Sequence, residues 1–545
     1  MTDIRDRVDE ATTGGAPPPR AWYAAAGATA AVAGAGLGHL VAALVAPPAS
    51  PVAAVGDIVI NATPTPVKEW AVASFGTADK TVLVSSVLVV TLVLAAGIGV
   101  LARAHRTSGL VLLLGLAALA TAAGVTRPSA GSLSAVPGLV TAGVGLGVLA
   151  ALARRLDQPA GPAVGPHEGR GLPPDPVDGS GPRPHPGGPA GAGGATRRTV
   201  LLVGGAAGAA GVAGGLLGTA LTRRGAPAQV LPLPAAATPL PPLPAGLDAG
   251  IPGISPFRTP DADFYRIDTA LILPRVDPAD WTLTIDGAVD HEVTLTYAEL
   301  TAMPLIEKDI TLMCVSNEVG GDLVGSARWL GVPVREVLAR AGIRASADQV
   351  LSTSVDGMTI STPVQALTDD RDALLAIGMN GAPLPTEHGF PVRLVTPGLY
   401  GFVGATKWLA RMTATTYAAQ QAYWTERGWA TDAPCLTESR IDTPRDGSPV
   451  KAGTAVVGGV AWAQGRGITR VEVRVDEGPW QRAVLGPDAG IDYWRQWYLR
   501  WEASPGRHTL TARATDGLGD VQTVVVADPF PRGATGWPSI EVTVG

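Results

Sequence analysis

The 545-residue sequence predicts three regions in series: an all-α membrane region, a mixed α+β domain and a C-terminal all-β domain. Three patterns predict them. Before residue 225 the chain runs through long apolar stretches without interior acidic or basic residues. Between 256 and 435, strand-like and helix-like segments alternate irregularly. After 436, apolar and polar residues alternate in short runs separated by turns. Hydrophobic residues make up 46% of the chain and charged residues 16%, a balance too apolar for a purely soluble protein. The net charge is −6, and no basic stripe with interleaved aromatics occurs, so nucleic acid is excluded as a partner.

Five segments are long and apolar enough to span a bilayer: Trp22–Val45, Thr81–Leu101, Leu110–Val125, Leu133–Leu152 and Thr199–Leu221. The third is short, and the fifth is mostly Gly, Ala and Val. The abundance of small residues predicts close helix packing. The first four spans form a region at 1–156, and the fifth occupies 197–224. Arg5, Arg7, Arg20, Arg103, Arg106, Arg154, Arg155, Arg197 and Arg198 fall on one side if the N-terminus is cytoplasmic. The loop Ala46–Lys80 then lies outside, and an odd number of spans puts everything after 225 on the extracytoplasmic side. This predicts a multi-pass cell-membrane protein. Between the fourth and fifth spans, residues 157–196 are dense in Pro and Gly and read as a linker. The linker ends on Arg197-Arg198 before a weakly hydrophobic stretch. That pair reads either as positive-inside flanking or as a twin-arginine export signal. Only His39 lies inside a span, so paired-imidazole haem ligation is not expected. The spans read as an anchor or as a contact for a partner.

Residues 225–255 form a Pro-rich tether that reads as an extended spacer. The 256–435 domain opens with Phe264-Tyr265-Arg266-Ile267-Asp268-Thr269, followed by an alternating strand, Trp281–Gly287. Tyr297-Ala298-Glu299-Leu300 starts a short helix, and Val332–Ala341 is amphipathic at helical spacing. The glycine pattern Gly143, Gly145, Gly147 lies within a span and lacks the strand–turn–helix setting of a dinucleotide site. In the last domain, 436–545, three runs alternate: Val471–Val475, Trp497–Trp501 and Leu510–Ala514. Turns at Glu477-Gly478-Pro479, Ser504-Pro505-Gly506 and Asp516-Gly517 separate them. Short strands with such turns predict a sandwich of immunoglobulin type. Its tryptophans (Trp462, Trp480, Trp494, Trp497, Trp501) read as core or interface residues, with sugar binding as the other reading.

Only two cysteines occur, Cys314 and Cys435. That excludes a disulfide framework and a many-thiol metal site. Cys314 lies in Thr311-Leu312-Met313-Cys314-Val315-Ser316-Asn317, where an apolar stretch meets a polar loop containing Gly320 and Gly321. Taken locally, it is a buried small hydrophobe, a nucleophile, or a metal ligand whose partners come from a cofactor.

The surrounding blocks favour the last reading. The Cys314 segment, Ser326–Pro333, Met379–Pro385, His388–Arg393 and Thr406–Leu409 resemble, in order and spacing, the molybdopterin domain of the sulfite oxidase family. The resemblance covers roughly 256–418, and the region after about 440 is similar to that family's dimerisation domain. The resemblance implies one molybdenum–molybdopterin cofactor per chain, with Cys314 as the protein's metal ligand. By the same resemblance His388, Arg393 and Lys407 hold the pterin and its phosphate, and Thr406 belongs to the same cofactor block. Arg266 lies near the metal, at the substrate pocket or the pterin. Ser316 and Asn317 line the loop after the ligand. Arg328 reads equally as a cofactor contact or a structural cation.

The sequence also departs from the sulfite-oxidising pattern. Glu318 stands where an arginine usually follows the cysteine, and Ala376-Ile377-Gly378 replaces a tyrosine ahead of the Met-Asn-Gly block. Tyr400 is another source of a phenol. A carboxylate facing the pocket would repel a dianion, so sulfite is not the expected substrate. The favoured function is a membrane-anchored molybdenum oxidoreductase. It would transfer an oxygen atom with two electrons to or from a small sulfur- or N-oxide-type substrate, and exchange electrons with a separate carrier protein or quinol-linked subunit. A homodimer through the C-terminal domain is implied as well. The alternative is a non-catalytic surface module with a degenerate cofactor domain, which a Cys314–Cys435 disulfide would mark.

Overall fold

A computed structural model describes residues 19–75, 79–158, 197–224 and 231–545. The chain divides into two compact units, Met1–Gly225 and Ala226–Gly545. Arg5 and Arg7, nearly all of the 157–196 linker and the start of the tether lie outside the described residues.

Among the described residues, the first unit is built of helices: α1 (Arg20–Val45), α2 (Pro51–Ala62), α3 (Thr65–Phe75), α4 (Asp79–Ala104), α5 (Arg106–Val125), α6 (Val136–Leu156) and α7 (Arg197–Arg224). Five of these helices are long and apolar enough to cross a membrane. Apolar surroundings favour helices because every backbone polar group is bonded within the segment. α1 is the hub. Gly27 abuts Ala95 of α4, Gly34 abuts Thr141 of α6, and Gly36 abuts Gly211 of α7, each with no room for a Cβ. The loop 46–80 is not a plain connection, because α2 and α3 fill it. Pro51 opens α2 at a first-turn position that needs no N–H donor. His39 is not free for a ligand. Its Nδ1 pairs with Ser50 Oγ at 2.8 Å and its Nε2 with Thr219 Oγ1 at 3.3 Å.

The second unit begins with β1 (Thr282–Gly287), β2 (Val293–Thr296) and α8 (Tyr297–Thr301), which a Thr296/Glu299 capping box starts. Then come β3 (Ile306–Met313), β4 (Val324–Pro333) and α9 (Val334–Ala341). α9 starts two residues later than its periodicity suggests, because Val332 and Pro333 complete β4. β5 (Gln349–Ser354), β6 (Thr359–Pro363), α10 (Val364–Thr368), β7 (Leu374–Met379), β8 (Ala382–Pro383), β9 (Arg393–Val395), α11 (Gly401–Gly404) and β10 (Leu409–Thr415) follow. One sheet runs β2-β1-β10-β5-β6, with β1 and β10 parallel. The other runs β3-β4-β7-β8, with β9 also on β7. A core from Trp281, Leu283, Val337, Leu338 and Met412 fills the space beside the first sheet, and Trp281 Nε1 donates to Leu409 O at 2.7 Å.

The tether departs from its free-spacer reading. From residue 231 it lies along the second unit: Ala237 N donates to Leu305 O at 2.8 Å and Leu240 N to Glu307 Oε2 at 2.8 Å. Leucines in a Leu-Pro repeat find apolar cover there, as Leu233 does against the first core.

The C-terminal region forms two packed sheets. β11 (Glu438–Thr443), β13 (Gly453–Trp462), β17 (Arg495–Ala503) and β16 (Val484–Leu485) make one. β12 (Pro449–Val450), β19 (Ser539–Val544), β18 (Gly506–Asp516), β14 (Ile468–Val475) and β15 (Gln481–Arg482) make the other. Val471, Val473, Leu510, Ala512, Trp497 and Trp501 fill the space between them. Trp462 and Trp494 instead join the core that faces the α+β domain. Trp480 departs from the core reading. It is half-buried on the outer face, packed edge-on to Trp537 with Arg513 over its ring. The two domains are pinned at Thr311, whose carbonyl accepts from Gln464 Nε2 (3.0 Å) and whose Oγ1 accepts from Trp494 N (2.8 Å). Glu438 is buried at the same junction with Tyr400 Oη donating to it at 3.4 Å, and burial pushes its pKa up to about 8.

Two tests follow from this packing. Gly36→Leu should force α7 off α1 and lower the thermal midpoint of the detergent-solubilised protein by several degrees, by ~1–3 kcal/mol of overpacking. Gly143→Leu, which meets nothing within 4 Å, should leave the midpoint nearly unchanged. The folded state also holds a proton on Glu438 that the unfolded chain releases near 4.5. The stability it contributes should therefore fall as pH rises from about 5 through 8. Thermal unfolding across that range should show the decline in the wild type, and Glu438→Gln should flatten it.

Candidate functional site

Cys314 follows the last residue of β3. Its backbone N–H donates to Leu323 O at 2.9 Å, and its carbonyl accepts from Asn317 N at 3.0 Å, so the loop 314–323 closes on itself. Asn317 is buried and completes that closure, accepting from Leu323 N at 2.8 Å. Its side chain therefore shapes the loop and does not face a ligand. Burial raises the Cys314 thiol above its ordinary pKa, and hydrogen bonds from Ser316 pull in the opposite direction. Glu318 is exposed at the turn. Cys314 and Cys435 are both free and buried, so no disulfide links them.

The β3–β4 ladder decides which neighbours reach the site. Asp309 pairs with Arg328 and Ile310 with Ala327, and alternate residues face opposite sides. Trp329 faces the side where Arg393 lies, with the Arg393 guanidinium 5.1 Å from the ring centroid. Arg328 faces the other way. Its Nε and Nη2 donate to Asp309 Oδ1 and Oδ2 at 2.9 and 2.7 Å. Arg328 is thereby held by Asp309 and faces away from the side on which Arg393 lies.

Arg393 opens β9 and is buried. Nη1 donates to His388 O at 3.1 Å and Nη2 to Ala405 O at 3.5 Å, while Nε has no hydrogen-bond partner. No carboxylate is paired with it among the described residues, and burial pushes its pKa down to about 10. His388 is buried beside it, with Nε2 hydrogen-bonded to Asp261 O at 2.9 Å. Burial lowers the His388 pKa, so the ring is neutral at pH 7. Gly389, with φ +110°, lets these residues meet Lys407: a Cβ there would lie 3.0 Å from Arg393 Cβ and 3.1 Å from Lys407 Cα. Lys407 donates to Asp268 Oδ2 at 2.6 Å, and burial pushes its pKa down to about 8 against the pull of Asp268.

Arg266 also binds Asp268, through Nε at 2.8 Å, and is 38% exposed. This places it at the Lys407 end of the group. Thr406 is buried with its hydroxyl 2.6 Å from Ser352 Oγ. Tyr400 does not supply a phenol here, because its hydroxyl points to Glu438 and packs against Gly533.

Several neighbours of these residues escaped the sequence reading. Asp268 is nearly buried between two cations, and no motif flagged a carboxylate there. Phe264 stacks on Tyr265 (5.3 Å) and meets His388 and Trp329 edge-on. The Tyr265 hydroxyl lies close to Gly401. Asn380 explains the Met-Asn-Gly block: in a left-handed turn (φ 53°), its Nδ2 donates to Thr259 O (2.9 Å) and Asp261 Oδ1 (2.6 Å). It thereby anchors the segment that holds His388.

Residues 270–424 match the family described as an oxidoreductase molybdopterin binding domain. The chain is 30% identical over 320 residues to the mitochondrial sulfite oxidase of Homo sapiens, covering 50% of this chain and 58% of that protein. It is 29% identical over 322 residues to the sulfite oxidase of Gallus gallus (50% and 69%), and 28% identical over 298 residues to nitrate reductase [NADH] 1 of Oryza sativa subsp. japonica (44% and 32%). Among solved structures, the sulfane dehydrogenase SoxCD of Paracoccus pantotrophus aligns with a TM-score of 0.46 at 23% identity, over 52% of this chain and 80% of that one. The chain thus spans under three fifths of the length of the first relatives it matches. Its second unit carries a molybdopterin-binding oxidoreductase domain. That domain is similar to the molybdopterin domain of the sulfite oxidases.

The matched domain implies a molybdenum–molybdopterin cofactor, and the residues fit one. A buried guanidinium without a carboxylate, whose Nε lacks a partner, suits an anionic or hydrogen-bonding group. A soft thiol at the end of β3 suits a thiophilic metal.

Burying an unpaired cation is costly. Arg393→Met should therefore leave the cofactor-free protein at least as stable as the wild type. In protein from a pterin-competent host, the same change should lower pterin content by roughly tenfold or more, about 1.4 kcal/mol per tenfold. Thermal melts and released-pterin fluorescence of the two preparations would measure this.

Proposed function

We propose that this chain is a membrane-anchored molybdenum oxidoreductase. It carries out two-electron oxygen-atom transfer on a small sulfur- or N-oxide-type substrate at an extracytoplasmic site. The observation that carries the proposal is Cys314 at the mouth of a closed loop in the same domain as the unpaired Arg393, His388 and Lys407. When bound, the cofactor supplies oxygen-atom exchange coupled to two electrons.

The chain's own residues hold and orient it. Cys314 provides the metal's thiolate, which a bound cation stabilises against the burial that otherwise keeps the thiol protonated. Arg393 offers fixed donors to the pterin, and neutral His388, whose Nε2–H is held by Asp261 O, offers Nδ1 as an acceptor. Lys407 and Arg266, bridged by Asp268, offer charge for its phosphate. Phe264, Tyr265 and Trp329 exclude water beside these groups. The exposed carboxylate of Glu318 disfavours a dianionic substrate approaching along that loop.

Five apolar helices, with Arg103, Arg106, Arg154 and Arg155 near the same helix ends, support an anchor with a cytoplasmic N-terminus. The Arg197-Arg198 pair at the start of α7 suits either flanking charge or an export signal. The two packed C-terminal sheets support the immunoglobulin-like reading.

Cys314→Ser should abolish oxidation or reduction of artificial one-electron dyes by the purified full chain with sulfoxide, N-oxide or sulfite substrates. Its tryptophan fluorescence should stay native-like, since the C-terminal core does not include Cys314. Full dye-linked activity in that variant would refute the ligand assignment.

A further inference from the structure

The C-terminal domain exposes an apolar strap before β19 that no core absorbs. Val524, Val525 and Val526 are 57%, 66% and 82% exposed, and Phe530 is 43% exposed. The strap is not a loose tail. Ala527 and Thr535 exchange both backbone hydrogen bonds at 3.1 Å, Thr535 Oγ1 donates to Val525 O at 2.7 Å, and Phe530 packs edge-on against buried Trp429 at 5.2 Å. An ordered run of exposed valines costs solubility, and such patches mark contact surfaces.

Its position is informative. Val526 and Val319 both lie within 4 Å of the point where a Cβ on Gly536 would be, and Gly320 packs near Pro538. The strap therefore abuts the 314–323 loop that closes over Cys314. Around it the exposed charge is mainly acidic: Glu318 and Asp322 on that loop, Asp528 on the strap, and Asp432, against Arg532, which pairs with Asp432 at 3.4 Å. An apolar centre with an acidic rim beside a redox centre is complementary to an apolar patch ringed by lysines.

We propose that this strap is the docking surface for a small, basic, one-electron carrier protein. The inference rests on the oxidoreductase reading above. Each docking moves one electron between the cofactor site and the carrier, so one partner is oxidised as the other is reduced. Two dockings match one two-electron turnover. Val525, Val526 and Phe530 supply apolar contact, and the rim acids steer the approach, in the small interface typical of transient electron transfer.

The test uses the full chain in nanodiscs, with a c-type cytochrome of high isoelectric point and one of low isoelectric point as probes. Binding is read by biolayer interferometry, and molybdenum content is measured separately. The basic probe should bind and weaken roughly tenfold or more between low and physiological salt, while the acidic probe should not bind. Val525→Asn with Val526→Asn, and separately Asp528→Lys, should each weaken the basic probe several-fold at unchanged molybdenum content. The proposal is overturned if the basic probe fails to bind a molybdenum-loaded chain, or if neither variant weakens it. It is equally overturned if the valine variant instead halves the particle mass, which would make the strap a contact between copies. A chain without molybdenum would sink the oxidoreductase reading itself, whatever the probes do.

Discussion

The antiparallel register of β3 on β4 is the constraint on which the second unit depends. It sets Asp309 opposite Arg328 and Thr311 opposite Ser326 on one face, and leaves Trp329 on the other. The first face becomes a polar seam, where Thr311 accepts hydrogen bonds from both Trp494 and Gln464. The second face becomes the wall against which Arg393 lies. A slip of one residue would exchange the two faces. It would bury the Asp309–Arg328 pair beside the cofactor residues and break the seam to the β-sandwich. Cys314 follows the last residue of the same strand, so one ladder positions both Cys314 and the domain junction.

Electrostatics then separates the site into two ends. At one end, Arg393 is buried with backbone carbonyls as its partners, a charge that a bound anion can satisfy. At the other end, Asp268 already balances Lys407 and Arg266. Burial lowers Lys407 to about 8, while Asp268 opposes that fall. This cluster of cations is thus only partly neutralised by the protein's own carboxylates. This is a preorganised arrangement, because fixed donors need not reorganise when a ligand binds.

Much of this was legible in the sequence, for identifiable reasons. The spans stand out because lipid tolerates only long apolar helices, and the sandwich strands because period-two alternation survives at Val471–Val475 and Leu510–Ala514. Cys314, His388, Arg393 and Lys407 stand out in the sequence because their blocks resemble a known family, and the fold brings His388, Arg393 and Lys407 together. The misreadings share one cause: a linear pattern does not say which way a side chain faces. Arg328 and Trp329 are adjacent in the chain but face opposite sides, and only the strand register shows that Asp309 holds the arginine. Tyr400 was read as a spare phenol, yet its backbone carries it to Glu438. The proline-rich tether carried the composition of a spacer, and only tertiary packing shows it lying along the domain. Asp268 was invisible as a functional group because its value lies in holding two cations that are distant in sequence.

The measurement that bears most directly on the central claim is elemental and pterin analysis of the purified full chain from a molybdenum-replete host that loads a control molybdoenzyme. The account predicts about one molybdenum and one pterin per chain, retained through gel filtration, as expected for a metal site formed by the folded protein. A well-folded chain with neither would contradict it and would leave the unpaired guanidinium of Arg393 without the ligand that its burial implies.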